Sequence, residues 1–306
     1  MNSKFYRVAG ITIEVRSDYS ITENTFHPKF KQFAVDGPGD DNVMINHHFY
    51  LPDSIEERCE HEIYNKSQWQ VFKTDKAWKF KYHPVLPEDP PHSVMGIFNL
   101  SYTALDIYTD EISEEAYKNS RFNGVTLFNT DQILFAKLLC DRNGLIIHSN
   151  GFDVNGNGIL LAGDSGAGKS TLSRMLKKRG FDILCDDRMF VRKLQSGFGL
   201  YGNWCHGTVP DTSSISVPLK AIFFLEQSKT NRAILMDDKK QIARKLVQSM
   251  VKPFLTPEDW EKTLTVIEHL GRTVRCYILK FDLSGEICDM IEKLFQGNKN
   301  LFKEDN

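Results

Sequence analysis

The chain has 306 residues, 41% of them hydrophobic and 25% charged, with a formal net charge of −2. That length allows two modest domains with buried cores, while the near-neutral charge excludes the basic footprint of a nucleic-acid binder. No run approaches the roughly 18 apolar residues of a membrane helix, and the N-terminal MNSKFYRVAG has no signal-peptide core, so neither a nucleic-acid nor a membrane partner is expected and the predicted location is cytoplasmic.

In chain order, the first 110 residues carry aromatic and β-branched side chains in short runs broken by Gly, Pro, Asp and Asn. They predict strands over 5–15, 43–50, 70–73, 78–82, 94–98 and 105–108, with a proline-rich loop over 84–91: an antiparallel β-rich module without helices of consequence. His47 and His48 are adjacent in a strand and point to opposite faces, so one core and one surface histidine are expected rather than a shared metal. Trp69 and Trp78 read as core or sheet-face residues. From Thr130 the character changes. Thr130 caps a predicted helix over 131–140 with Ile133, Leu134 and Leu138 on one face, and a strand over 145–147 delivers His148. Further strands are expected over 158–162, 182–185, 190–192, 198–201, 219–225 and 274–279, and helices over 239–250, 257–270 and 284–295, the second opened by a capped Thr256-Pro257. The six cysteines (Cys59, Cys140, Cys185, Cys205, Cys276 and Cys288) contain no CxxC pair and read as reduced, buried thiols.

Residues 163–171, GDSGAGKST, fit the phosphate-binding pattern G-x-x-x-x-G-K-[ST] at Gly163, Gly168, Lys169 and Ser170. Polyphosphate binding needs backbone N–H groups turned inward, and glycine lets a chain wrap that tightly. The following helix, marked by Leu172, Met175 and Leu176 and stopped at Gly180, offers its positive dipole end to the same anion. The pattern predicts Lys169 on the β/γ phosphates and the Ser170 hydroxyl on Mg²⁺. The strand over 182–185 ends in Asp186-Asp187-Arg188. Carboxylates at a strand end beside a triphosphate serve as a metal contact or a base, and neighbours there divide their work: one faces nucleotide and Mg²⁺, the other braces the turn or pairs with Arg188. The loop over 204–216, WCHGTVPDTSSIS, suits an acceptor-side role, with His206 or Asp211 near the γ-phosphate. A transition metal on Cys205, His206 and His148 is the weaker reading of the same region.

The segment 148–191, HSNGFDVNGNGILLAGDSGAGKSTLSRMLKKRGFDILCDDRMFV, resembles the core of the HPr kinase/phosphorylase family: a histidine, a strand, GDSGxGKS, a helix ending in Arg-Gly, and a strand ending in Asp-Asp-Arg. The resemblance implies an α+β chain in which a β-rich N-terminal module (1–125) precedes a P-loop kinase core (126–306), related to phosphoenolpyruvate carboxykinase, with a mixed sheet and flanking helices. It implies ATP and Mg²⁺ as cofactors. Gly163, Asp164, Ser165, Gly166, Ala167, Gly168, Lys169, Ser170 and Thr171 would bind the nucleotide, and Ser170 and Asp187 the metal. Asp186 would be the base that deprotonates the acceptor hydroxyl, with Lys169 and His148 beside the phosphates.

The sequence also departs from that family. Thr171 stands where the family has Glu, and 202–211 lacks the metal-binding glutamate of an E-x-x-G signature, leaving Asn203 or His206 as substitutes. A neutral ligand holds a hard cation less firmly than a carboxylate does. Arg232 and Arg244 are the candidates for its C-terminal arginine signature. These departures suggest a divergent relative of the sort found beside peptide-modifying enzymes. The expected activity is transfer of the γ-phosphate to a serine or similar hydroxyl of a protein or peptide acceptor, with a second copy of the chain as an open partner. The alternatives are a nucleotide-binding regulator or assembly protein with little turnover, and a carboxykinase-like small-metabolite kinase. A GTPase is disfavoured by the absence of an NKxD motif.

Overall fold

The alternating residues at the start of the chain, expected as one strand, form a hairpin in the computed structural model. β1 (Asn2–Val8) and β2 (Ile11–Ser17) pair antiparallel across Ala9-Gly10. Both turn residues have positive φ, 51° and 76°, which matches the twist of a two-residue hairpin. The structure describes residues 2–52, 61–66, 68–85, 91–128, 130–164, 166–205, 211–252 and 256–295. They fall into two compact units, Met1–Leu138 and Leu139–Asn306. Among the described residues no helix is long and apolar enough to cross a membrane.

The first unit is built on one sheet. Its further strands are β3 (Ala34–Val35), β4 (Asn42–His48), β5 (His61–Lys66), β6 (Trp69–Lys73), β7 (Ala77–Tyr82), β8 (Val94–Asn99) and β9 (Ala104–Tyr108), in the order β3-β1-β2-β4-β9-β8-β7-β6-β5. The sheet is mixed, a correction to the antiparallel expectation: β4 runs parallel to both β2 and β9. Alternation reports which face a side chain takes and is the same for either strand direction, so the crossovers leave no trace in it. Val43, Ile45, Trp78, Phe80, Phe98, Leu105 and Ile107 are buried on the sheet's core side, and Phe30 and Phe33 of a 3-10 helix (Pro28–Phe33) are buried with them. Two short helices belong to this region, α1 (Glu114–Asn119) and α2 (Gln132–Cys140), and the Thr130 hydroxyl accepts the Gln132 N–H at the start of the second. Trp69 and Trp78 are buried as expected. His47 is fully buried between the Tyr117 hydroxyl (2.9 Å) and the Val125 carbonyl (2.8 Å). His48 is less exposed than a surface residue: it lies between Asp18 and Asp106 and stacks on Tyr108.

The second unit contains β10 (Gly144–Ile147), β11 (Ser149–Val154), β12 (Asn157–Ala162), β13 (Asp182–Cys185), β14 (Met189–Leu194), β15 (Gly197–Tyr201), β16 (Ser216–Gln227), β17 (Arg232–Leu235) and β18 (Arg275–Phe281). Its sheet is also mixed. β12 and β18 flank β16 in parallel, while β11 lies antiparallel between β12 and β13. The helices are α3 (Lys169–Lys178), α4 (Lys239–Ser249), α5 (Pro257–Thr273) and α6 (Glu286–Phe295). Period-two alternation sends Leu160 and Ala162 of β12, with Ile222 and Phe224 of β16, into a core shared with Ile242, Leu246, Val266 and Leu270 of α4 and α5. Ile159, Leu161, Ala221, Phe223 and Leu225 enter the opposite core with Leu172, Leu176, Ile287 and Ile291 of α3 and α6. The central strands are thus buried on both faces, which is why they read as continuous apolar runs.

A candidate phosphate site at one end of the second sheet

Strand direction brings the chemistry-bearing segments together. β12 ends at Ala162 and leads into the glycine-rich loop, while antiparallel β11 begins beside it, Ser149 opposite Ala162. On the other side of β11, Gly151 lies opposite Cys185, the last residue of β13. His148, the loop from Gly163 and the Asp186-Asp187 pair therefore emerge at the same end of the sheet. Parallel β16 and β18 finish there too, with Gln227 opposite Phe281.

The loop is shaped by its glycines. Gly166 (φ 82°) and Gly168 (φ 97°) hold left-handed conformations, and Gly168 is the N-cap of α3 without a side-chain cap bond. A Cβ on Gly168 would lie 2.7 Å from Phe281 Cζ, and one on Gly163 would lie 2.9 Å from Ala167 Cβ. The Gln227 amide donates to the Gly166 carbonyl at 2.7 Å, and Ala167 N–H closes a turn onto the Asp164 carbonyl at 3.1 Å. Lys169 opens α3 and folds its ammonium over the loop, donating to the Gly163 carbonyl at 2.7 Å and the Asp164 carbonyl at 3.3 Å. Burial lowers its pKa, opposed by Asp187, Asp164 and Asp186, so these carboxylates act on the same ammonium. Ser170, the next residue of α3, is exposed, and Thr171 is partly buried. Ser165 lies outside the described residues.

The acidic pair is divided. Asp186 is buried, with 4% exposure. Asp187 takes φ 76°, a left-handed conformation that aspartate tolerates better than most side chains. Its carboxylate meets His148 Nε2 at 2.5 Å through one oxygen and the Arg188 guanidinium through the other. The Arg188 pairing is one that the sequence suggests for the second aspartate; the His148 contact is additional. Asn203 is a correction. It is fully buried, donating to the Arg188 carbonyl at 2.8 Å and accepting the Cys205 N–H at 2.7 Å, so its amide braces the turn instead of facing a metal. Asp211 gives its carboxylate to Lys177 (2.7 Å) in the last turn of α3, while its neighbour Thr212 bridges Cys185, the residue before Asp186. His206 lies outside the described residues, as does Cys59. Arg232 opens β17 opposite Lys280, near this end of the sheet, whereas Arg244 is exposed on α4.

The five described cysteines are buried free thiols, and burial pushes the Cys185 and Cys276 thiols up to about 12. Cys140, Asp141 and Asp259 have potential ligand atoms within 4.8 Å of one another. Their carboxylates are committed elsewhere: Asp259 accepts from Thr256 in the capping box of α5, and Asp141 accepts from Lys262.

Three residues at the site escaped the sequence reading. Asn150 sits in β11, whose SNGFDV shows no apolar alternation, and Gln227 and Phe281 reach the loop only through the pairing of β16 with β18. Gln227 and Phe281 lie at the end of an apolar run, the one sequence signal they carry, and Asn150 carries none.

A family model described as SynChlorMet cassette protein ScmC matches residues 115–296, more than half of the chain. An HPr kinase/phosphorylase of Streptococcus salivarius is 34% identical over 153 residues, covering 47% of this chain and 44% of that protein. One from Lachnoclostridium phytofermentans is 30% identical over 126 residues, covering 38% of each. The matched regions thus span less than half the length of these curated relatives. The solved Hpr(Ser) kinase/phosphatase of Coxiella burnetii aligns at 14% identity with a TM-score of 0.29, covering 49% of this chain and 87% of that one.

Proposed function

The chain belongs to the SynChlorMet cassette protein ScmC family and is HPr kinase-like, and from that premise we propose that it transfers the γ-phosphate of ATP to a serine or similar hydroxyl of a protein or peptide. The observation that carries this reading is the meeting of the glycine loop, Lys169 and the Asp186-Asp187 pair at one end of one sheet.

The residues fit a nucleotide phosphate. Left-handed Gly166 and Gly168, with no room for a Cβ at Gly163 or Gly168, make a cradle whose backbone N–H groups and helix dipole suit an anion. The Lys169 ammonium supplies positive charge where charge develops in phosphoryl transfer. Ser170 offers the hydroxyl that would hold Mg²⁺, and Asp187 would join it by giving up one of its two cationic partners, His148 or Arg188; the ion when bound neutralises phosphate charge. Asp186 accepts the proton of the attacking hydroxyl. Asp187, tied to His148 and Arg188, keeps its carboxylate oriented while Asp186 does so.

The test is phosphate transfer by purified full-length protein with Mg²⁺ and ATP, alone and with serine-containing peptides. Acceptor-stimulated transfer is expected, falling by about 10²–10³ in Lys169→Ala, the scale of losing one stabilising donor. Asp186→Asn should lose about 10²–10⁴ in rate while still binding ATP. Unchanged turnover in Asp186→Asn removes the base role. Tight ATP binding without transfer would instead favour a nucleotide-binding regulator.

A further inference from the structure

Asp187 holds a backbone conformation uncommon for a residue with a side chain, and both of its backbone polar groups are bound by β11. Its carbonyl accepts the Ser149 N–H at 3.0 Å, and its own N–H donates to Asn150 Oδ1 at 3.2 Å. The other end of that amide, Asn150 Nδ2, donates to Ser173 Oγ at 2.5 Å. Asn150 is 1% exposed and Ser173 is 5% exposed. Ser173 is one helical turn beyond Lys169 on the same face of α3. A single buried amide therefore links the acidic turn to the helix that carries Lys169 and Ser170.

Stability alone is a poor reason for this pair. A buried polar pair replaced by apolar groups of the same shape is often neutral or better, whereas deleting one partner leaves the others unsatisfied. What the amide adds is direction. Oδ1 fixes the peptide plane of Asp187, and hence its carboxylate, relative to α3.

We propose that Asn150 is a positioning residue, locking the Asp187 turn in register with the N-terminal turn of α3. The proposal rests on the kinase reading for its functional consequence, while its structural part can be tested without that reading.

The experiment compares wild-type full-length protein with Asn150→Ala, Ser173→Ala, the double variant, and Ile291→Val as a control in the core beneath α3 and α6. Phosphate release from Mg-ATP, thermal midpoint and amide hydrogen exchange at Asp187 are measured on each. In Asn150→Ala, kcat is expected to fall by about 10- to 100-fold, the scale of a small misplacement of reacting groups, with KM for Mg-ATP within about threefold. The double variant should be no worse than Asn150→Ala alone, because the two side chains act as one unit. Ile291→Val should lower the thermal midpoint and leave kcat unchanged. Exchange at the Asp187 amide should accelerate at least about tenfold in Asn150→Ala and not in the control. Wild-type protection of that amide in Asn150→Ala overturns the proposal, as does a kcat that follows the thermal midpoint across all variants. Should the wild type neither bind nor turn over ATP, the kinase reading fails, and the Asp187 amide still decides whether Asn150 holds the turn.

Discussion

Gly168→Ala tests whether the glycine loop is built as described, because two independent penalties meet at that residue. Its φ of 97° puts an L side chain in the left-handed region, at about 1–2 kcal/mol. The added Cβ would also sit 2.7 Å from the Phe281 ring, which is itself 3% exposed at the end of β18 and cannot move without disturbing the core beneath α3. Overpacking of that kind costs about 1–3 kcal/mol, so the sum is about 2–5 kcal/mol. At about 2–4 °C per kcal/mol for a domain of this size, the thermal midpoint should fall by about 4–20 °C. Thermal and urea unfolding measure the loss, with tryptophan fluorescence as one probe. A second variant separates the two penalties: Phe281→Leu removes the ring, so in the Gly168→Ala background it should cost clearly less than in the wild type. Strict additivity of the two substitutions, or a midpoint unchanged by Gly168→Ala, would refute the close approach of loop and ring.

His47 gives the first unit a defined acid response. Burial lowers its pKa to about 4 from an ordinary 6.5, so the native histidine stays neutral while the unfolded one takes up a proton. The folded pKa lies below the unfolded value; stability is therefore unaffected above about pH 6.5 and is lost as pH falls toward about 4, by about 3 kcal/mol in all. Unfolding midpoints measured across that window should show this slope, and His47→Gln should flatten it. At the start of α5, Thr256 accepts the Asp259 N–H while Asp259 accepts the Thr256 N–H. Thr256→Ala should cost about 1 kcal/mol and raise hydrogen exchange in the first turn of α5; a loss below the error of the unfolding measurement would show that the box is not needed there.

Much of the second unit was legible because local rules and tertiary structure agree there. An apolar run, a glycine-rich turn and an amphipathic helix ending in Gly180 each have one economical conformation, and β12, the loop and α3 follow them. Thr256-Pro257 likewise marks the start of α5, since a capping side chain and a proline at the first helical position both act within one turn. The limits of the local code appear where direction matters. The parallel pairing of β4 with β2 and β9, and the placement of β11 between β12 and β13, depend on crossovers between distant segments that side-chain alternation does not encode.

At the site, residue chemistry alone singled out Lys169, Ser170 and the aspartate pair as candidates, because a glycine-rich turn before a helix and carboxylates at a strand end have few other uses in such proximity. Tertiary structure decided the rest: that His148 reaches Asp187, that Asn203 braces a turn, that Asp211 is drawn to Lys177, and that Asn150 links Asp187 to α3. Each of these depends on which strand ends share an edge of the sheet. Spacing along the chain specifies what a segment can become, but only strand order and direction determine what stands beside it.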